Sequence, residues 1–145
     1  MNSLRFSIYE PNPSGHHLAL HARHIVKEAL ARQWEPCLVT SEAAKGHPAF
    51  AALREEFGDA LPVAFMDRHD FPANNVSKLS LLRFQRTQHR EFARSFSRLA
   101  GRLRPDAVYV HKMADLGVIG ALVDSGVPLV RLVQEHEIYR TRSNK

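Results

Sequence analysis

The 145-residue sequence predicts an α/β domain: a Rossmann-like, doubly wound parallel sheet with helices on both faces. Three observations carry that expectation. Short β-rich apolar runs alternate with helical stretches along the whole chain. The first run empties into a proline- and glycine-bearing turn that opens a helix. Right-handed crossovers in such repeated βα units favour a strand order such as 3-2-1-4-5.

The elements follow in order. A strand over about Leu4 to Tyr9 leads into Glu10-Pro11-Asn12-Pro13-Ser14-Gly15, and a helix ending near Arg32 places Leu18, Ala22, Ile25 and Ala29 on one face. A second strand covers about Pro36 to Thr40. Ser41 to Phe57 reads as helical apart from Gly46 and Pro48, Gly58-Asp59 closes it, and a third strand lies near Pro62 to Met66. Asp67 to Asn75 reads as a polar loop. A long basic helix follows and ends at Arg104-Pro105, because proline disfavours the helical conformation of the residue before it. Asp106 to His111 is a fourth strand, Asp115 caps a helix through about Asp124, Ser125-Gly126 ends that helix, and Pro128 to Gln134 is a fifth strand.

Composition closes off other classes. With 44% hydrophobic residues, a chain of this size buries a real core as one domain over residues 1–145. No segment is low-complexity and no internal repeat occurs. The single cysteine, Cys37, excludes an internal disulfide and a Cys-based zinc site, and its apolar neighbours read as core, so a reducing, cytoplasmic setting is expected. Met1-Asn2-Ser3-Leu4-Arg5 lacks an apolar signal core, and no run approaches the ~18 apolar residues of a membrane span.

The net charge of +5 sits in one place. Residues 78–104 hold eight basic residues against one acid, a balance of +7, whereas the remainder carries −2. Arg86, Arg90, Arg94, Arg98 and Arg102 recur every fourth residue, while Phe92, Phe96, Leu99 and Leu103 mark the apolar face of the same helix. A cationic outer face of this kind is either merely solvated or attracts an anionic membrane surface or acidic partner. Nucleic acid is not expected, since no aromatic residue alternates with arginine on the polar side.

In doubly wound sheets ligands bind beyond the carboxyl ends of the strands, where the strand order reverses, here between the first and fourth strands. That nominates the loop Ser14-Gly15-His16-His17, whose helix start offers backbone N–H groups to phosphate or sugar hydroxyls. The Gly-x-Gly-x-x-Gly fingerprint and the P-loop lysine pattern are missing, which argues against nicotinamide, flavin and ATP-loop chemistry. His17, His21, His24 and Glu28 share a spacing of i, i+4, i+7 and i+11, but three turns of helix spread them over ~16 Å, too far for one metal ion. A polar flank with one histidine facing the cleft is expected instead. His111 and Lys112 follow the fourth strand, and Glu135, His136, Glu137, Arg140 and Arg142 follow the fifth. There cations suit phosphate, and a carboxylate or imidazole suits orienting or deprotonating a hydroxyl.

At Val108-Tyr109-Val110-His111-Lys112, Gly126-Val127-Pro128-Leu129-Val130-Arg131 and Glu135-His136-Glu137-Ile138-Tyr139-Arg140-Thr141-Arg142, the sequence resembles the N-terminal, acceptor-side domain of family 4 GT-B glycosyltransferases. Ser14-Gly15-His16-His17 and Pro36 to Thr40 also fit. The last stretch resembles a His-Asp-His-Asp-Leu-Tyr-Cys-x-Arg pattern, with Gln134 at the first histidine, Glu135 and Glu137 at the aspartates and Arg140 at the cysteine; Arg142 matches its arginine.

The resemblance implies the N-terminal half of a GT-B architecture, incomplete at its C-terminal edge and inactive without a separate donor-binding domain as partner. The complete enzyme would move a sugar from a nucleotide-sugar to the hydroxyl of a sugar or lipid-linked acceptor, with no cofactor and no metal. Glu135 or His136 would act on the acceptor hydroxyl. Ser14, Gly15, His16, His17, His111, Lys112, Glu137, Arg140 and Arg142 would bind substrate. The alternative is a binding module without chemistry that docks through the Arg86 to Arg102 face. The expected location is cytoplasmic, peripheral to the inner face of the membrane.

Overall fold

In the computed structural model, residues 3–11, 13, 16–66, 77–110, 126 and 128–131 are described. Five strands, β1 (Arg5–Tyr9), β2 (Glu35–Ser41), β3 (Val63–Met66), β4 (Ala107–Val110) and β5 (Leu129–Arg131), form one sheet in the order β3-β2-β1-β4-β5. Every pairing is parallel, with Tyr9 opposite Val39 on one side and Val110 on the other, and Val110 opposite Arg131. Both the strand order and the doubly wound layering agree with the sequence expectation.

Strand alternation divides the core in two. Phe6 and Ile8 of β1, Leu38 of β2 and Tyr109 of β4 point to one face, where they meet Leu18, Ala22, Val26 and Ala29 of the first helical segment and Leu53 of α2 (Pro48–Phe57). Tyr9, Val39, Val108 and Val110 point to the other, against Phe96 and Leu99 of α3 (Lys78–Leu103). Tyr9 and Phe96 pack edge to face with ring centroids 5.4 Å apart, a geometry that suits the ring quadrupoles.

The first helical segment differs from the sequence expectation. It opens with a π-helical stretch, His17–Ala22, and continues as α1 (Arg23–Ala31). In the opening, the His21 N–H donates to the His16 carbonyl five residues back at 3.1 Å. The wider turn moves the buried face by one residue, so Val26 is fully buried where Ile25 was expected and Ile25 packs only at the margin. The segment ends with Gln33 in the left-handed region, φ 58°, its N–H on the Leu30 carbonyl and the Trp34 N–H on the Ala29 carbonyl. This is the Schellman closure that glycine usually supplies. Trp34 then packs on Phe6 at 5.3 Å.

Three boundaries also move. Ser41 closes β2 instead of opening a helix, and a 3₁₀ turn over Glu42–Gly46 precedes α2, where Pro48 occupies the tolerated first turn. Asp106 stands before β4, where its carboxylate accepts hydrogen bonds from the Arg5 backbone N–H and guanidinium. α3 ends at Leu103 as the Arg104-Pro105 signal predicts, though Arg104 leaves the helix through the left-handed region, φ 46°. The Arg86 and Phe92 side chains, the loop Asp67 to Asn75 and the expected helix from Asp115 lie outside the described residues.

Candidate functional site

At the carboxyl end of β1 the alternation that buries Phe6 and Ile8 carries Glu10 onto the same face. Its backbone stays in the ladder, the Glu10 N–H donating to the Val39 carbonyl at 3.0 Å. Its side chain is 6% exposed and lies 3.0 Å from Nδ1 of His17, which is 14% exposed and opens the π-helical stretch. A carboxylate at Nδ1 selects the tautomer protonated there and leaves the lone pair on Nε2. The Ser41 hydroxyl at the end of β2 donates to the Pro11 carbonyl at 2.7 Å, which anchors the chain just past Glu10.

Two further side chains feel this pair. Burial, then the neighbouring His17 imidazole, holds His21 below the ordinary histidine value, with Glu10 opposing. Burial, then the Glu10 carboxylate, pushes the Tyr109 phenol above its ordinary value. The cluster therefore joins the carboxyl ends of β1 and β4, where the strand order turns from β2 to β4, the position at which doubly wound sheets bind ligands.

Of the sequence-nominated residues, His17 is in this cluster. His16 is exposed and contributes its carbonyl to the helix start. Ser14, Gly15, His111, Lys112, Glu135, His136, Glu137, Arg140 and Arg142 lie outside the described residues. Glu10 was not nominated, although period-two counting from Phe6 and Ile8 places it on the cleft side of β1. Among the described residues, no three His, Cys, Asp or Glu side chains gather as a metal site. Nor is any described helix long and apolar enough to cross a membrane.

A cavity of about 640 Å³ lies elsewhere, beside the edge strand β3. Its cations are committed within the protein. Arg54 donates to the Gly58 and Leu61 carbonyls, and Lys45 sits 2.6 Å from Glu42 and 4.5 Å over the Phe65 ring. Cys37 is half-buried, and burial raises its thiol above the ordinary value, the direction of an unreactive thiol.

No protein-family model and no curated protein sequence matches the chain. Solved structures do. The glycotransferase of kitacinnamycin is similar at 14% identity and a TM-score of 0.65, over 99% of this chain and 35% of that one. CalG4, the calicheamicin glycosyltransferase, is similar at 17% identity and a TM-score of 0.63, over 97% and 37%. A UDP-N-acetylglucosamine 2-epimerase reaches a TM-score of 0.61 at 10% identity, over 97% and 35%. The chain thus spans about a third of the length of these structures. Its fold is the Rossmann-like α/β fold of GT-B glycosyltransferase domains.

Proposed function

We propose that the chain is the acceptor-side domain of a family 4-type GT-B glycosyltransferase and that the Glu10–His17 pair handles the acceptor's proton. The observation that carries this is a carboxylate–imidazole pair, almost wholly shielded from water, at the carboxyl edge of β1 beside the reversal of strand order. Structural likeness to glycosyltransferases supports it at the level of fold.

In this reading the acceptor hydroxyl gives its proton to Nε2 of His17 while Glu10 stabilises the imidazolium that forms. The acceptor oxygen bonds to the anomeric carbon as the nucleoside diphosphate leaves with the electrons of the broken C–O bond. Glu135 or His136 orients the hydroxyl. Ser14, Gly15, His16, His111, Glu137 and Arg140 contribute contacts to substrate, and Lys112 with Arg142 supplies positive charge for the diphosphate. The donor's nucleotide belongs to a separate donor-binding domain, so the 145-residue chain alone transfers no sugar. A binding module without chemistry would leave the shielded Glu10–His17 pair unexplained.

The test follows the imidazole signals of the chain by NMR while hydroxyl-bearing acceptor candidates and UDP-sugars are added. Acceptor candidates are expected to move the His17 signal without turnover. Sugar transfer or tight UDP-sugar binding by the chain alone, or acceptors that bind without touching His17, would overturn the proposal.

A further inference from the structure

On the sheet face away from His17, we propose that the outer side of α3 docks on a lipid surface carrying anionic headgroups, independently of any sugar transfer. Arg83, Arg90, Arg94, Arg98 and Arg102 are all exposed. At ~100° per residue they fall within about 120° of the helix circumference, roughly opposite Phe96, Leu99 and Leu103, which pack on the sheet. The stripe therefore faces away from the domain.

Charge pairing separates this helix from the rest of the molecule. Arg5, Arg23, Lys27, Arg32 and Lys45 each face a carboxylate, from Asp106, Glu56, Glu56, Glu28 and Glu42 respectively. Arg90, Arg94 and Arg102 have no such partner among the described residues. A row of like charges at i, i+4 repels itself, and nothing described on the helix offsets that cost, so the compensating negative charge is external.

The distribution favours a plane over a compact ligand. Arg90 to Arg102 extends along ~18 Å of helix axis. Small exposed residues, Ser97 and Gly101, lie between the arginines, and a Cβ built on Gly101 would meet nothing within 4 Å. Leu79, 61% exposed, stands one turn before Arg83 on the same side, where it can enter the headgroup boundary. The exposed positions described on α3 include no aromatic ring on which a base could stack, nor the aromatic anchor that a protein partner's hot spot would use. Phosphate headgroups, by contrast, match the guanidinium fork wherever along the stripe they arrive.

The experiment sediments the 145-residue chain with vesicles of phosphatidylcholine alone or mixed with phosphatidylglycerol. Binding is expected only to the mixed vesicles and should weaken as salt rises. Arg90→Glu with Arg94→Glu should lower it by more than ~10-fold, since each arginine near such a surface is worth ~5-fold. Lys27→Glu with Arg32→Glu, an equal charge change on α1, should leave it nearly intact. If charge reversal unfolds the helix by circular dichroism, Arg90→Gln with Arg94→Gln replaces it, with a ~5-fold loss expected for each arginine removed. The proposal fails if neither vesicle binds, if the α1 and α3 variants lose binding equally, or if a short DNA duplex is retained and the vesicles are not.

Discussion

The two faces of the sheet treat charge in opposite ways. On the α1 face, an acid and an imidazole are withdrawn from water against each other, and the surrounding basic residues each meet a carboxylate. On the α3 face the buried side is apolar, apart from Ser95, and unmatched arginines stand outside. Charge that is matched within the chain holds the fold or tunes a site, whereas charge left unmatched is directed at something beyond it. The contrast assigns local proton chemistry to one face and docking to the other.

The faces should be equal in one respect, their dependence on apolar packing. Phe96→Ala removes a ring packed on Tyr9 and is expected to cost ~3–5 kcal/mol; Ile8→Ala, on the opposite side, should cost ~2–5 kcal/mol. Urea unfolding measures both. A loss well below 2 kcal/mol for Phe96→Ala would mean that α3 is only loosely seated, and its arginine stripe would then have no fixed orientation.

The Glu10–His17 pair comes next. Glu10→Ala and His17→Ala each strand the other partner in a nearly dry position, at an expected ~1–3 kcal/mol. The double variant should cost less than the sum of the two, since each single change already breaks the pair. Additive losses would show that the two groups act separately, which removes the support for a shared proton role.

Much of the fold was legible in the sequence because its signals are local. Alternating βα units, Gly58 after α2 and Pro105 after α3 mark the elements, and crossover handedness supplies the strand order. The site was less so. Glu10 looked like the first residue of a turn because Pro11 follows it, yet one more step of the strand's period buries it. Likewise the five-residue hydrogen bond at His16 has no sequence signature, and it moved the buried face from Ile25 to Val26. Gln33 hid a helix end that glycine would have announced.

Surface pairs on the α1 side give the contrast a pH dependence. Hydrogen bonds from Arg23, then Lys27, pull the Glu56 carboxyl down to about 2 from its ordinary 4.5. A depressed acid stabilises the fold above its unfolded value and loses that contribution as pH falls through the folded one. Stability should therefore drop between about pH 4.5 and 2, more shallowly in Glu56→Gln, and high salt should blunt the difference because all three groups reach solvent. Acid unfolding curves that superimpose for the two proteins would show that the pair contributes nothing measurable.

A finer test lies with His21, whose imidazole titrates below its ordinary value first because of burial and then because of His17. Since the folded state disfavours the proton, this group's contribution is present above the unfolded value and is lost as pH falls below it. Glu10 opposes the shift, so Glu10→Gln should move the His21 midpoint lower still by NMR, while His17→Ala should raise it. Movement in the reverse sense for either variant would separate His21 from the cluster.

The smallest effect on stability is expected where the docking argument is strongest. Arg90 and Arg94 are one turn apart on an exposed surface and have no ion-pair partner among the described residues. Arg94→Glu alone should raise stability slightly, by about 0.2–0.5 kcal/mol for each repulsive i, i+4 pair converted to an attractive one. A structural arginine would behave in the opposite way, since its removal strands a carboxylate elsewhere. Retained or improved stability with weakened vesicle binding would therefore separate docking from folding on the same residue. Clear destabilisation by Arg94→Glu in urea would instead make the stripe part of the fold, and the distinction between the two faces would disappear.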